Sequence, residues 1–441
     1  MKKILILGAG RSAIVLINKL LKASESKQWY VDIADLNFEN TRKIVGEHMF
    51  VKAIRLEREN EFPLVCNYHI VVSMLPPKMH FEVAKACVQF GIHLITASYN
   101  TPEMQQLHLK AMEKNIIILM ECGLDPGIDH MSAMQMIDAI HAEQGVVKSF
   151  KSYCGGLMSN AADVANPWKY KITWNPRNVV LAGQGGFVKY MEFNKLKYLN
   201  YTRLFQNTNK ISIENENFEG YPNRDSLKYI SLYGLSSLET FVRGTLRKEG
   251  FCKAWHALVV LGFTEDAYMI ENISNLSFKD FFYALLPTTF ESDWMKDLNK
   301  YYPNLIDGEI LDKFRYLGLF ADEKIPFESA SPATVLQYLL ESKLSPGEND
   351  TDLVVMQHQI EYIDTNGERI KKESNLIVEG NRNPNSAMAT TVGLPIFYAI
   401  DVILNQKIDE TGVVLPLKSW LYEPIMANLH REGIRFSEKL V

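Results

Sequence analysis

Ile4-Leu5-Ile6-Leu7-Gly8-Ala9-Gly10-Arg11-Ser12-Ala13 decides how the rest of the chain is read. Four apolar residues form a short buried strand, and the residues from Arg11 to Lys22 place Ile14, Ile17, Leu20 and Leu21 on one side of a helix. The link between them is a G-x-G-x-x-A turn. Gly8 permits the sharp bend, Gly10 lets backbone approach a pyrophosphate, and Ala13 keeps the helix close to the sheet. Arg11 and Ser12 open the helix, whose N-terminal N–H groups and positive dipole end suit an anion. A lone hexapeptide of this kind is weak evidence, but its position after the first strand points to a dinucleotide site.

Working outward, further strand-like runs occur at Tyr30–Ala34, Ile70–Leu75, Leu94–Ala97 and Ile116–Met120. Helical stretches at Asn40–Glu47, Met79–Phe90 and Thr101–Lys114 separate them. Apolar strands alternating with helices imply an α/β, doubly wound parallel sheet of Rossmann type. The second strand ends at Asp35, followed by Leu36, where a carboxylate can accept from both ribose hydroxyls and repel a 2′-phosphate. NAD is therefore expected in preference to NADP, with NADP not excluded. Ligands lie beyond the carboxyl edge of such sheets, which draws Ser73, Met74, Leu75, Ser98 and Tyr99 into the candidate site.

The 441 residues are too many for one ordinary core, so two or three packed units are expected. Hydrophobic residues make up 47% and charged residues 22%, the balance of a chain that folds throughout. A net charge of −5 supplies no basic field for nucleic acid. No apolar run is read as approaching the roughly 20 residues that span a bilayer, and Met1-Lys2-Lys3 leads directly into a strand, so a cytoplasmic location is expected. Five scattered cysteines without a C-x-x-C pair suggest buried thiols, not disulfides or structural zinc.

The expected division is a dinucleotide-binding domain over 1–125, completed by 392–441, an α/β substrate domain over 126–234 and 350–391, and a helical subdomain over 235–349. A hairpin is expected around Thr365-Asn366-Gly367. The apolar tail from Thr390 to Leu404 should form a helix packed on the first domain. Between the first two domains runs Glu121-Cys122-Gly123-Leu124-Asp125-Pro126-Gly127-Ile128-Asp129-His130, a stiff polar crossover where a cleft is expected. Its spacing matches no standard zinc or calcium pattern, so no metal is expected, and Asp129 is read as the N-cap of the next helix.

Several stretches carry a resemblance in the right order along nearly the whole chain. They are Ala84–Cys87, Thr96–Tyr99, Gly123–Met131, Ser152–Leu157, Asn166-Pro167, Gly220–Ser226, Arg243–Arg247 and Asn385–Pro395. On these the chain resembles the glutamate-forming saccharopine dehydrogenase family. It departs at Leu157-Met158-Ser159-Asn160, where the family has leucine-proline-alanine-proline. Lys189–Asn217 offers no match, and Asp266–Lys324 matches only loosely. Members using NADP carry arginine near the second strand end, whereas Ala34-Asp35-Leu36-Asn37 is similar to the NAD-using ones.

The resemblance implies oxidation of the secondary amine of saccharopine to an imine that water cleaves to glutamate and 2-aminoadipate 6-semialdehyde, a step of lysine metabolism. It implies substrate contacts from Ser98, Tyr99, Asp125, Arg224, Arg243, Thr245 and Arg247, since three carboxylates call for cations and fixed donors. Arg243 and Arg247 share a face if helical; the alternative is an exposed basic helix face. Asp125 is assigned base duty or electrostatic stabilisation, with Tyr99 and Cys154 as further proton-handling groups. Leu124, Asp125 and Pro126 are expected beside the cofactor, and Trp174 either walls the nicotinamide pocket or fills the second core. The expected partner is the small-molecule substrate, with a homodimer as an option and neither nucleic acid nor membrane. Two alternatives stay open: a related reductase acting on another carboxyalkyl-amine, and a cofactor-binding regulatory protein without turnover.

Overall fold

The computed structural model describes residues 1–441 apart from 57–62, 160–164, 183, 185, 288–293, 382–384 and 406–409. The opening alternation becomes β1 (Lys2–Leu7), β2 (Trp29–Asp35), β3 (Val51–Arg55), β4 (Ile70–Ser73), β5 (His93–Ile95) and β6 (Ile117–Leu119). All pair in parallel, and the strand Gly412–Val414 adds to β6, with Val413 opposite Ile118. The order is Gly412–Val414, β6, β5, β4, β1, β2, β3. The winding reverses between β1 and β4, which makes that carboxyl edge the switch point where ligands of such sheets lie. Ile4, Leu5, Ile6 and Leu7 are fully buried, each stabilising the sheet by about 1.5–3 kcal/mol.

The linking helices are α1 (Ile14–Ala23), α2 (Phe38–Val45), α3 (His80–Phe90), α4 (Pro102–Gln105), α5 (His108–Glu113) and α6 (Ile128–Ala142). The single helix expected over Thr101–Lys114 is thus broken in two. The strands β3 and Gly412–Val414 escaped the sequence reading. Lys52 and Arg55 of β3 are exposed at the sheet edge, and three residues carry no period.

One expectation is corrected outright. The helix Ala387–Asn405 is 19 residues long with a mean hydropathy of 1.7, enough by length and composition to cross a bilayer. Most of it is buried within the fold instead, and it lies along α1 so closely that a Cβ at Gly393 would stand 2.8 Å from the Leu16 nitrogen. Its apolarity is that of a core helix covered by protein.

The chain forms two compact units. One comprises Met1–Val146, Tyr362–Ile370 and Leu376–Glu438, and the other Val147–Glu361, Lys371–Asn375 and Lys439–Val441. The boundaries differ from the expected ones because α6 groups with the first unit, and so does the stretch Leu376–Glu438. The second unit is built on β7 (Val146–Met158), β8 (Phe187–Glu192), β9 (Lys195–Asn200), β10 (Asn209–Ile213), β11 (Glu216–Pro222) and β12 (Thr240–Lys248). Its sheet runs β10, β11, β12, β7, then Asp352–Ile363, Arg369–Glu379 and Phe436–Leu440, with β8 and β9 attached to β12. The helices Phe251–Val260, Phe278–Ala284, Gly308–Leu317 and Pro332–Leu344 share one core with this sheet, including Tyr153, Leu246 and Val355. They form no separate subdomain. In the hairpin turn only Gly367 takes a positive φ, of 83°, while the Asn366 amide donates to the Asp364 carboxylate.

Candidate active site

The glycine turn places its backbone as the sequence requires. Gly8 has φ of 98°, and a Cβ there would meet the Met74 carbonyl oxygen at 2.9 Å, so any other residue would push β1 and β4 apart. Gly10 is exposed, and a Cβ on it would meet nothing within 4 Å. That open ground over the turn Arg11–Ala13 is room for an anion, with Ala13 buried beneath it. Arg11 is exposed and Ser12 half-buried.

Asp35 does not cap α2. Asn37 does, its side chain accepting from the Asn40 N–H. The Asp35 carboxylate instead accepts from the Ala9 N–H at 2.7 Å and from the Asn37 N–H at 2.7 Å, tying the end of β2 to the glycine turn. A carboxylate can accept about four hydrogen bonds, so acceptor capacity remains for a ribose. Leu36 beside it is exposed.

At the next strand exits, Ser73 is buried and Met74 and Leu75 are half-buried. A residue the sequence reading missed joins them. His80, the first residue of α3, lies 2.8 Å from the Ser73 hydroxyl through Nδ1 and 2.7 Å from the Ser98 hydroxyl through Nε2. Burial pushes its pKa down to about 4, so the ring is neutral. The available signal was a histidine seven residues after a strand-terminal serine, behind a Pro-Pro step that fixes its approach.

Tyr99 donates to the Asp125 carboxylate at 3.1 Å, and both side chains are half-buried. The crossover that carries Asp125 is tightly closed. Gly123 N–H donates to the Pro126 carbonyl and Ile128 N–H to the Gly123 carbonyl. A Cβ at Gly127, whose φ is 146°, would collide with Gly123 backbone. The Asp125-Pro126 bond is cis, and Leu124 and Pro126 are buried. Asp129 is not the N-cap. Gly127 holds that position, and the Asp129 carboxylate reaches back to accept from its N–H at 2.7 Å. His130 is wholly buried, 2.8 Å from the Glu121 carboxylate. That carboxylate also accepts from the Asn100 N–H, bracing the loop beside Tyr99. Among the described residues no cluster of three or more histidine, cysteine or acidic side chains is set to hold a metal, and burial pushes the Cys122 thiol up.

The second unit assembles its own set. Arg243 and Arg247 lie on the strand β12, not a helix, and they are buried, not an exposed basic face. The run Thr240-Phe241-Val242 favours extended backbone, and in a strand residues 243, 245 and 247 line one face just as a helix would align 243 with 247. Thr245 pairs with Cys154 of β7, and Arg243 with Ser152. The Arg243 guanidinium stands 4.2 Å over the Tyr229 ring. The Arg247 guanidinium is 5% exposed, sits 5.1 Å over Tyr170 and 5.2 Å over Phe251, and donates to the Leu246 carbonyl. Its Nε has no partner, and no carboxylate among the described residues pairs with it. The Cys154 side chain is buried, as are those of Cys87, Cys122 and Cys252, while Cys66 is exposed. Arg224, exposed with φ of 48°, follows β11 in a turn tied to β12 by the Asn223 N–H donating to the Arg243 carbonyl. Trp174 packs against the second core. Asn160, part of the family departure, lies outside the described residues.

Comparison with known proteins gives this arrangement a family. Residues 4–119 match the saccharopine dehydrogenase NADP binding domain, and residues 123–434 match the saccharopine dehydrogenase C-terminal domain. The chain belongs to the saccharopine dehydrogenase family. It is 31% identical to the saccharopine dehydrogenase [NADP(+), L-glutamate-forming] of Schizosaccharomyces pombe, over 100% of this chain and 99% of that one. It is 34% identical to the alpha-aminoadipic semialdehyde synthase of Arabidopsis thaliana over 99% of this chain, but spans only 44% of that protein's length. For the mouse mitochondrial alpha-aminoadipic semialdehyde synthase the figures are 35%, 85% and 41%. The apo saccharopine dehydrogenase (L-Glu forming) of Saccharomyces cerevisiae superposes with a TM-score of 0.88 at 30% identity, covering 100% of both chains.

Proposed function

We propose that this chain is a nicotinamide-dependent saccharopine dehydrogenase of the L-glutamate-forming type. The observation that carries the reading is the face of β12 on which two buried arginines flank Thr245 beside Cys154. Arg247 has an unpartnered Nε and no carboxylate counterpart among the described residues. A buried cation of this kind is costly unless a ligand anion meets it, and saccharopine carries three carboxylates. The glycine turn fits a dinucleotide, because Gly8 admits no Cβ and Gly10 leaves open ground.

The bound nicotinamide would accept hydride from the carbon beside the secondary amine. Arg224, Arg243 and Arg247 would bind carboxylates, and Thr245 and Ser98 would each hydrogen-bond a polar group of the substrate. The ammonium must lose its proton before hydride leaves. Asp125 would take that proton or balance the positive charge that develops on nitrogen, and Tyr99, hydrogen-bonded to it, would pass a proton onward. Water then adds to the imine, and proton transfer to nitrogen releases glutamate and the semialdehyde, with Cys154 as a further proton carrier.

The proposed cofactor is NAD, supported by the carboxylate of Asp35 at the end of β2. The Schizosaccharomyces pombe relative's name carries NADP(+) and residues 4–119 match an NADP binding domain, so the proposed preference rests on the Asp35 carboxylate alone. The test is steady-state formation of reduced nicotinamide from saccharopine with each dinucleotide. A folded protein that turns over neither pair refutes the activity. Higher kcat/KM with NADP refutes the cofactor choice alone.

A further inference from the structure

We propose that His80 is a positioning residue, whose buried imidazole sets the Ser98 hydroxyl and locks together the two strand exits over which the dinucleotide is read to lie. The proposal deepens the function above and rests on it. Backbone pairing between β4 and β5 stops at Val72 opposite Ile95. Beyond that point nothing in the sheet ladder fixes the distance from Ser73 to Ser98. The His80 ring spans the gap, 2.8 Å from one hydroxyl and 2.7 Å from the other, with the Thr96 hydroxyl at 3.4 Å from the same Nε2.

Its own place is over-determined. The ring is 3% exposed, it opens α3, and the turn Pro77–Met79 precedes it behind Pro76. A neutral imidazole has one N–H and one lone pair, so one serine hydroxyl donates to it and the other accepts. Ser98 is thereby held from two sides, since its carbonyl accepts from the Glu121 N–H at 3.0 Å. The Ser98 hydroxyl is half-buried and uses only part of its hydrogen-bonding capacity on His80. What remains is offered to a ligand in a fixed direction, next to Tyr99 and Asp125.

The experiment uses two amides that each keep half of the ring. In His80→Gln the amide reaches where Nε2 stood and can still meet Ser98. In His80→Asn it reaches where Nδ1 stood and meets only Ser73. Both are measured in the full-length protein for saccharopine kcat and KM and, separately, for NADH and NADPH affinity by fluorescence titration. The expected result is that His80→Gln stays within about threefold of wild type, while His80→Asn loses about tenfold or more in kcat/KM. Adding Ser98→Ala should abolish the difference between them. Equal behaviour of the two amides, or a difference that persists without the Ser98 hydroxyl, overturns the proposal. If wild type binds dinucleotide but does not oxidise saccharopine, the substrate reading falls, and the same ranking in dinucleotide affinity decides for or against His80. If wild type binds neither dinucleotide, both readings fall. Should either amide variant not fold, His80→Phe with and without Ser98→Ala gives the same comparison, a loss confined to the Ser98 background being the supporting outcome.

Discussion

Arg247 shows what one side chain can disclose. Its guanidinium rests among Tyr170, Tyr221 and Phe251 with a single carbonyl acceptor. Removing it orphans no carboxylate among the described residues, so Arg247→Met should leave the thermal midpoint unchanged or raise stability by about 1 kcal/mol. Saccharopine KM should nevertheless rise roughly ten- to hundredfold, the worth of a charge-assisted hydrogen bond. Calorimetry and steady-state kinetics check the two halves, and a variant that unfolds contradicts the argument. For Asp35, the Asn variant keeps an acceptor for the Ala9 N–H but loses the charge facing a 2′-phosphate. The ratio of kcat/KM for NAD over NADP should therefore fall about tenfold or more in Asp35→Asn, a factor worth at least one pKa unit of free energy. The place of Asp35 at the end of β2 was legible because the strand-like run Tyr30–Ala34 stops just before it. The burial of Arg247 was not, because a residue's partners across a sheet leave no mark on its own neighbours in sequence.

Among the elements, the parallel strands were legible because Ile4–Leu7 and Ile70–Ser73 are covered on both faces and read as unbroken apolar runs. The strand β12 was not, since its arginines at 243 and 247 satisfy a helical period as well as an extended one. Two histidines, His80 at the carboxyl ends of β4 and β5 and His93 at the start of β5, give the first sheet an acid sensitivity. Burial pushes His80 down to about 4, and burial, helped by Lys2 and His69, pushes His93 down to about 4 from the ordinary 6.5. Nδ1 of His93 accepts from the Ile117 N–H, which links β5 to β6. The unfolded chain takes up protons here that the folded chain refuses. Stability is therefore fully present above about pH 6.5 and is lost as pH falls toward 4, by about 1–2 kcal/mol per ring between pH 7 and 5. Urea denaturation at the two pH values should show the drop, and His93→Asn should lessen it. The contact of Ala387–Asn405 with α1 yields another expectation. Gly393→Ala forces a methyl against the Leu16 backbone and should cost about 1–3 kcal/mol in denaturant titration, with little change in saccharopine KM.

For the molecule as a whole, the division into two units was legible in kind, through length and the change of pattern after Asp129. The boundaries were not, because the first unit is finished by segments far along the chain, Tyr362–Ile370 and Leu376–Glu438. No local signal states which sheet a distant segment joins. A chain cut before Ala387 lacks the helix that packs on α1 at Leu16, and also the strand that pairs with β6. It should expose apolar surface to a hydrophobic dye and show no NADH binding, although the glycine turn itself is intact. Retained affinity in such a truncation would mean that the first six strands suffice.

The late arrival of Gly412–Val414 also sets an order of events during synthesis. The ribosome makes about 290 residues between β6 and this strand, roughly 15–60 s of elongation. Throughout that interval the nascent nucleotide half has its fingerprint but neither its last strand nor its covering helix. Holdase chaperones should find their longest-lived target there, and a message broken in its final quarter should yield a product marked for degradation, not a partly working enzyme.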